Sequence, residues 1–294
     1  MRTSVGCRTV EVSNQHDGIN LSMLVMYPAS SPESPTQVGP YQLDVALNAP
    51  PDQGCYPLVL ISHSSGGSHF DYRTLAKHLA GNGFIVGLPV HPFNNSEDNS
   101  LRSTAQILAL RPKQLSSAID WFFESPDFAH LLKADAVAVI GHSMGGYTAL
   151  ALAGGKPTSF PTESPDGVSR PVEVKADQRI KALVLLAPAT IWYKSAGSLN
   201  QVNTPILMLV GEKDNITPQS LYSKIVINGL PDQSELQFRI VENAGHFSFL
   251  SPYPENWIDG EFPSSQDLPG FDRASFHQQM NGEILTFLIQ KIAK

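Results

Sequence analysis

Three residues of this chain carry the parts of an activated nucleophile. Ser143 stands in Gly141-His142-Ser143-Met144-Gly145, a G-x-S-x-G pattern. Asp214 closes Gly211-Glu212-Lys213-Asp214, and His246 lies in Asn243-Ala244-Gly245-His246-Phe247. A serine hydroxyl attacks poorly unless a base can take its proton and an acid orients that base. Ser143, His246 and Asp214 fill those roles in that order of action, with Glu212 the second choice for the acid. The oxyanion formed by such an attack needs N–H donors. Met144, directly after the serine at a helix start, supplies one by its backbone. Ser65, in His63-Ser64-Ser65-Gly66-Gly67, is the expected second.

These residues need a scaffold that brings strand ends together. Residues 136–140 are apolar and read as a buried strand, and 147–154 are rich in Ala and Leu and read as a short helix. The sharp turn between them lifts Ser143 clear of the strand end. Further strands are expected at 56–62, 84–90, 180–187, 205–210 and 235–241. Helices are expected from Asp71, before Glu124, over 217–230 and over 274–293. Strands alternating with helices predict an α/β fold with a mainly parallel sheet covered on both faces. Strands at 5–12 and 19–28, around Asp17-Gly18, predict an antiparallel N-terminal hairpin at one edge. Residues 29–55, 155–179 and 250–272 lack periodicity and read as loop insertions in a single domain spanning 1–294. His63, His91 and His246 all follow strands, where reactive groups of parallel sheets gather. His142 neighbours the serine, but its side chain is expected to point away from the hydroxyl.

The chain has 294 residues, 41% of them hydrophobic and 9% aromatic, enough for a sizeable core. A net charge of −7 argues against nucleic acid as a partner. No stretch is long and apolar enough for a membrane span, and the N-terminus MRTSVGCRTV has no apolar leader region, so a cytoplasmic location is expected. Cys7 and Cys55 are the only cysteines; free thiols are expected, with one bridge as the alternative. No metal-ligand spacing, phosphate loop or dinucleotide fingerprint appears, and the chemistry above needs no metal or cofactor. The aromatic residues Phe93, Trp192 and Phe247 border strand ends, with Tyr193, Phe249 and Tyr253 near them. They are candidates for an apolar substrate pocket, or alternatively loop anchors. The partner is then a small-molecule ester or acyl compound.

The serine–acid–histidine chain order is that of the α/β-hydrolases. The chain resembles that superfamily, and within it the dienelactone-hydrolase-like group that includes platelet-activating-factor acetylhydrolases and polyester hydrolases. The resemblance rests on Met26-Tyr27-Pro28-Ala29, ISHSSGG, LAGNGFIVGLPVHP, Arg111-Pro112 opening a helix, GHSMGGYTAL, GEKD, AGHFSF and FDRASFHQQMNGEI. It implies an α/β-hydrolase fold and carboxylic-ester hydrolysis through an acyl-enzyme. Ser64 replaces the first glycine of the usual His-Gly-x-Gly-Gly loop. Ser143 stands where dienelactone hydrolases carry cysteine, which argues against dienelactone as substrate. The strand ending in Ala187-Pro188 offers no carboxylate, so the acid is expected one strand later. An amidase, peptidase or thioesterase with the same triad is the second reading, and a non-catalytic ligand-binding scaffold the third.

Overall fold

The computed structural model describes residues 3–14, 18–258 and 262–293. β1 (Ser4–Asn14) and β2 (Ile19–Ala29) pair antiparallel with Ser4 opposite Ala29 and Asn14 opposite Ile19. The expected turn residue Asp17 lies outside the described residues. Gly18 precedes β2 with φ 65°, in the left-handed region that glycine occupies without steric cost. β5 (Tyr56–Ser62), β6 (Ile85–Pro89), β7 (Leu132–His142), β8 (Ile180–Leu186), β9 (Ile206–Gly211) and β10 (Leu236–Val241) are all parallel to their neighbours of that group.

The segment 29–55 departs from the expectation of a loop. It contains β3 (Ser34–Val38) and β4 (Tyr41–Leu47), a second antiparallel hairpin turning at Gly39-Pro40. β4 runs parallel to β1, with Gly6 opposite Ala46. The full order is therefore β10-β9-β8-β7-β5-β6-β2-β1-β4-β3, and the β1–β2 hairpin lies inside the edge it was expected to form. An edge strand pairs on one side only, so Pro35, which has no N–H to donate, is tolerated there.

Side chains on successive residues of a strand point to opposite faces, and the central strands bury both. Val59, Ile61, Ala138 and Ile140 pack with Leu75 and Leu79 of α1 (Arg73–Ala80) and with Met280 and Ile284 of α5 (Arg273–Leu288). Leu58, Leu60, Val137 and Val139 face α2 (Ala105–Glu124) and α3 (Met144–Leu152) through Leu115, Ile119, Phe122 and Leu150. Each fully buried aliphatic side chain contributes about 1.5–3 kcal/mol by leaving water. Because β5 to β10 run parallel, the loops after β5, β6, β8, β9 and β10 open at the same end of the sheet as the β7–α3 turn.

Two helices differ from their expected form. Thr104 caps α2 by accepting from the Ile107 N–H, so Arg111-Pro112 lies inside the helix instead of opening it. Pro112 frees the Leu108 carbonyl four residues earlier, and the Tyr147 hydroxyl donates to it at 2.9 Å. The helix expected over 217–230 is confined to α4 (Tyr222–Gly229), because Pro218 and the turn before it occupy the first positions.

Candidate active site

Ser143 sits between β7 and α3 with φ 53° and ψ −115°. A non-glycine residue rarely holds such a backbone, and it persists only where its surroundings enforce it. The enforcement is visible. The Ser143 N–H donates to the Leu186 carbonyl, and its own carbonyl accepts from Gly146 and Ala189. A Cβ on Gly145 would stand 1.9 Å from the Ser62 carbonyl oxygen, so only glycine lets α3 begin this close to β5. Neither the Met144 nor the Ser65 N–H is taken by a hydrogen bond among the described residues.

Asp214 and His246 meet across the ends of β9 and β10. The His246 Nδ1–H donates to Asp214 Oδ2 at 2.8 Å, and both side chains are buried. Asp214 Oδ1 accepts the N–H groups of Ile216 and Thr217, and Oδ2 also accepts the Thr217 hydroxyl at 2.7 Å. Burial alone would raise the Asp214 carboxyl; the bond and charge of His246, with the Thr217 bonds, outweigh it and hold the group at about 2. With Nδ1 protonated, His246 Nε2 is left as an acceptor. No hydrogen bond joins it to Ser143 Oγ among the described residues. The loop carrying His246 is held to the elbow by His142, the residue before Ser143, whose Nε2–H donates to the His246 backbone carbonyl at 3.0 Å while its Nδ1 accepts from the Tyr72 hydroxyl. The rings of His142 and His246 lie 4.8 Å apart. Glu212 faces elsewhere: exposed to solvent, it accepts the Asn243 N–H.

Thr217 was not anticipated as a site residue. Its hydroxyl lies 3.1 Å from His246 Nδ1, and it lines the same cleft as Ser143. Asp-x-x-Thr is a recurrent side-chain-to-backbone turn pattern, and that signal was available in the sequence. The cleft holds about 200 Å³; its apolar lining includes Ile107, Leu108, Met144, Ala189, Trp192 and Ile216, and its polar lining includes Ser65, Arg102, Ser103 and Glu163. Glu163 was also missed; both its oxygens accept the Trp192 indole N–H, and one accepts the Phe160 N–H. Phe93 and Phe247 are not part of the lining. Phe93 projects into solvent from a turn with φ 65°, and Phe247 packs on the core beside the His246 ring. Tyr193, Phe249 and Tyr253 are buried anchors of their loops.

His63 and His91 are engaged on every ring nitrogen. His63 Nε2 accepts the His91 N–H and its Nδ1–H donates to the Ser64 carbonyl; His91 bonds Ser62 Oγ and Gln114 Oε1. Burial, with the Arg111 charge adding to it, holds both well below the ordinary histidine range. Burial also lowers His69 and His277 to about 4 and His142 to about 3. These five rings stay neutral in the fold but accept protons near pH 6.5 once unfolded. The unfolded state therefore binds more protons below that pH, and stability falls as pH falls. The melting temperature is expected to drop continuously from pH 6.5 to pH 4. Calorimetry at fixed ionic strength checks this, and an unchanged melting temperature between pH 7 and pH 5 would contradict the burial assigned to these rings.

Among the described residues no helix is long and apolar enough to cross a membrane, and no cluster of histidine, cysteine and carboxylate side chains could hold a metal ion. Cys7 is buried and Cys55 exposed, and both are free.

The sheet order, the elbow at Ser143 and the Asp214–His246 pair define an α/β-hydrolase fold. The chain belongs to the chlorophyllase family, which matches residues 17–163. It is 25% identical over 202 residues to "Cutinase est1" of Thermobifida alba, an alignment covering 68% of this chain and 56% of that protein. It is 30% identical over 140 residues to "Chlorophyllase-1, chloroplastic" of Citrus unshiu, covering 46% of this chain and 39% of that one. The chain thus spans about half the length of these relatives or less. A ferulic acid esterase from Streptomyces cinnamoneus shares the fold at a TM-score of 0.71 and 17% identity, over 100% of this chain and 91% of the other.

Proposed function

We propose that this protein hydrolyses carboxylic esters, with Ser143 as nucleophile, His246 as base and Asp214 as the orienting acid. The observation that carries this reading is the strained Ser143 elbow opening on a cleft shared with Thr217, which hydrogen-bonds the buried Asp214–His246 pair. Nε2 of His246 takes the Ser143 proton as Oγ bonds to the ester carbonyl carbon. The resulting oxyanion lies between the Met144 and Ser65 N–H groups. The proton then passes from Nε2 to the leaving alcohol, and a water molecule repeats the sequence on the acyl-enzyme. Kinship with cutinases and a chlorophyllase supports ester over amide substrates. A cavity of about 150 Å³ accommodates benzene, so the 200 Å³ cleft suits one ring or a short acyl chain beside Trp192.

A fluorophosphonate is expected to label Ser143, because an activated hydroxyl attacks phosphorus as it attacks an acyl carbon. Peptide mass spectrometry of the adduct identifies the residue, alongside rates on p-nitrophenyl esters, anilides and thioesters. Label on another serine, or none on folded protein, rules the assignment out.

A further inference from the structure

Arg111 is fully buried, and no carboxylate pairs with it among the described residues. Its guanidinium instead reaches neutral groups on both sides of the candidate oxyanion site. Toward the β5 loop, Nη1–H donates to Asn94 Oδ1 at 2.7 Å, and Nη2–H donates to Ser62 Oγ and to the His63 carbonyl. Asn94 passes the contact on: its Nδ2–H donates to Ser65 Oγ at 2.9 Å, and its carbonyl accepts the Gly66 N–H. Toward α3, Nε–H donates to Thr148 Oγ1 at 3.1 Å, and the Thr148 hydroxyl donates to the Met144 carbonyl at 3.0 Å. One rigid planar fork therefore touches the supports of both Ser65 and Met144, the two residues whose N–H groups are unoccupied.

We propose that Arg111 is a positioning residue that fixes the separation of the Ser65 and Met144 N–H donors, acting through Asn94 on one and Thr148 on the other. The inference rests on the ester-hydrolase reading above. A guanidinium suits the task because its donors have fixed relative directions, which a lysine ammonium lacks. A cation left without a carboxylate in the interior is costly, which a merely structural contact would not require. Its α2 anchor is itself held, since Pro112 leaves the Leu108 carbonyl to the Tyr147 hydroxyl of α3.

Loss of one oxyanion donor lowers kcat by about 10²–10³-fold. Arg111→Met is expected to lower kcat about 10²-fold with KM within about twofold, and Arg111→Lys to recover part of the loss. Asn94→Ala and Thr148→Val, which cut one arm each, are expected to cost about tenfold. The distinguishing readout is the affinity for an aryl trifluoromethyl ketone, whose serine adduct carries the oxyanion: it should fall in step with kcat/KM, whereas general loosening would raise KM. p-Nitrophenyl butyrate turnover, circular dichroism and melting temperature are measured on every variant. If Ser143→Ala keeps the wild-type rate, the ester-hydrolase reading itself fails. If Ser143→Ala is inactive but folded Arg111→Met keeps kcat within twofold, the role of Arg111 is overturned. Should Arg111→Met not fold, the other two decide: unchanged kcat and inhibitor affinity in both Asn94→Ala and Thr148→Val overturns it equally.

Discussion

His246→Ala is expected to lower kcat by about 10⁵–10⁶-fold, the scale on which removing the base of a serine triad acts. Two features of the structure make the effect this large. Asp214 takes the Nδ1–H, so Nε2 is the nitrogen left to accept a proton. His63 and His91, which also follow strands, cannot substitute, because their ring nitrogens are committed within a buried network. His142 is likewise spent on Tyr72 and the His246 carbonyl. The measurement is steady-state turnover of a p-nitrophenyl ester by His246→Ala beside His130→Ala, a surface control. Near-normal turnover in His246→Ala would remove it as the base.

Asp214→Asn is expected to lower kcat by about three to four powers of ten, through loss of the productive histidine tautomer. Glu212→Gln, altering an exposed carboxylate that serves the Asn243 turn, should change it little. Reversed effects would make Glu212 the acid. The same substitution has a stability signature. The folded Asp214 carboxyl lies at about 2, below its ordinary value of 3.8. Its contribution is fully present above pH 3.8 and is lost as pH falls through 2. The stability gap between wild type and Asp214→Asn, read by denaturant unfolding, should therefore close across that interval.

The parallel core was readable because 136–140, 180–187 and 205–210 are short apolar runs bounded by breakers, a pattern that needs no partner to be recognised. The β3–β4 hairpin was not. Its outer strand, β3, is the edge, where Ser34, Pro35 and Gln37 are tolerated because one side carries no ladder and much of the surface is wet. Ser143, Asp214 and His246 stood out because each sits beside a glycine-marked turn. Arg111 was legible only as part of the Arg111-Pro112 pair and not as a site residue: the partners that explain its burial are 17, 37 and 49 residues away. Phe93 shows the opposite case, an aromatic side chain whose place depends on a backbone conformation that composition does not encode.

The residues that line the cleft come from parts of different origin. Ser143 and Met144 belong to the sheet-borne elbow, whereas Glu163 comes from the 155–179 insertion and Trp192 from the irregular segment after β8. These two outer pieces hold each other, through the Trp192 indole on Glu163 and the Thr158 N–H on the Trp192 carbonyl. Among the described residues, neither pairs with a strand of the main sheet. On the ester-hydrolase reading proposed above, chemistry and selectivity would be carried by separable parts of one chain. Insertions or exchanges within 155–179 can reshape what enters the cleft while leaving the strained turn, and the residues that would do the chemistry, where they are.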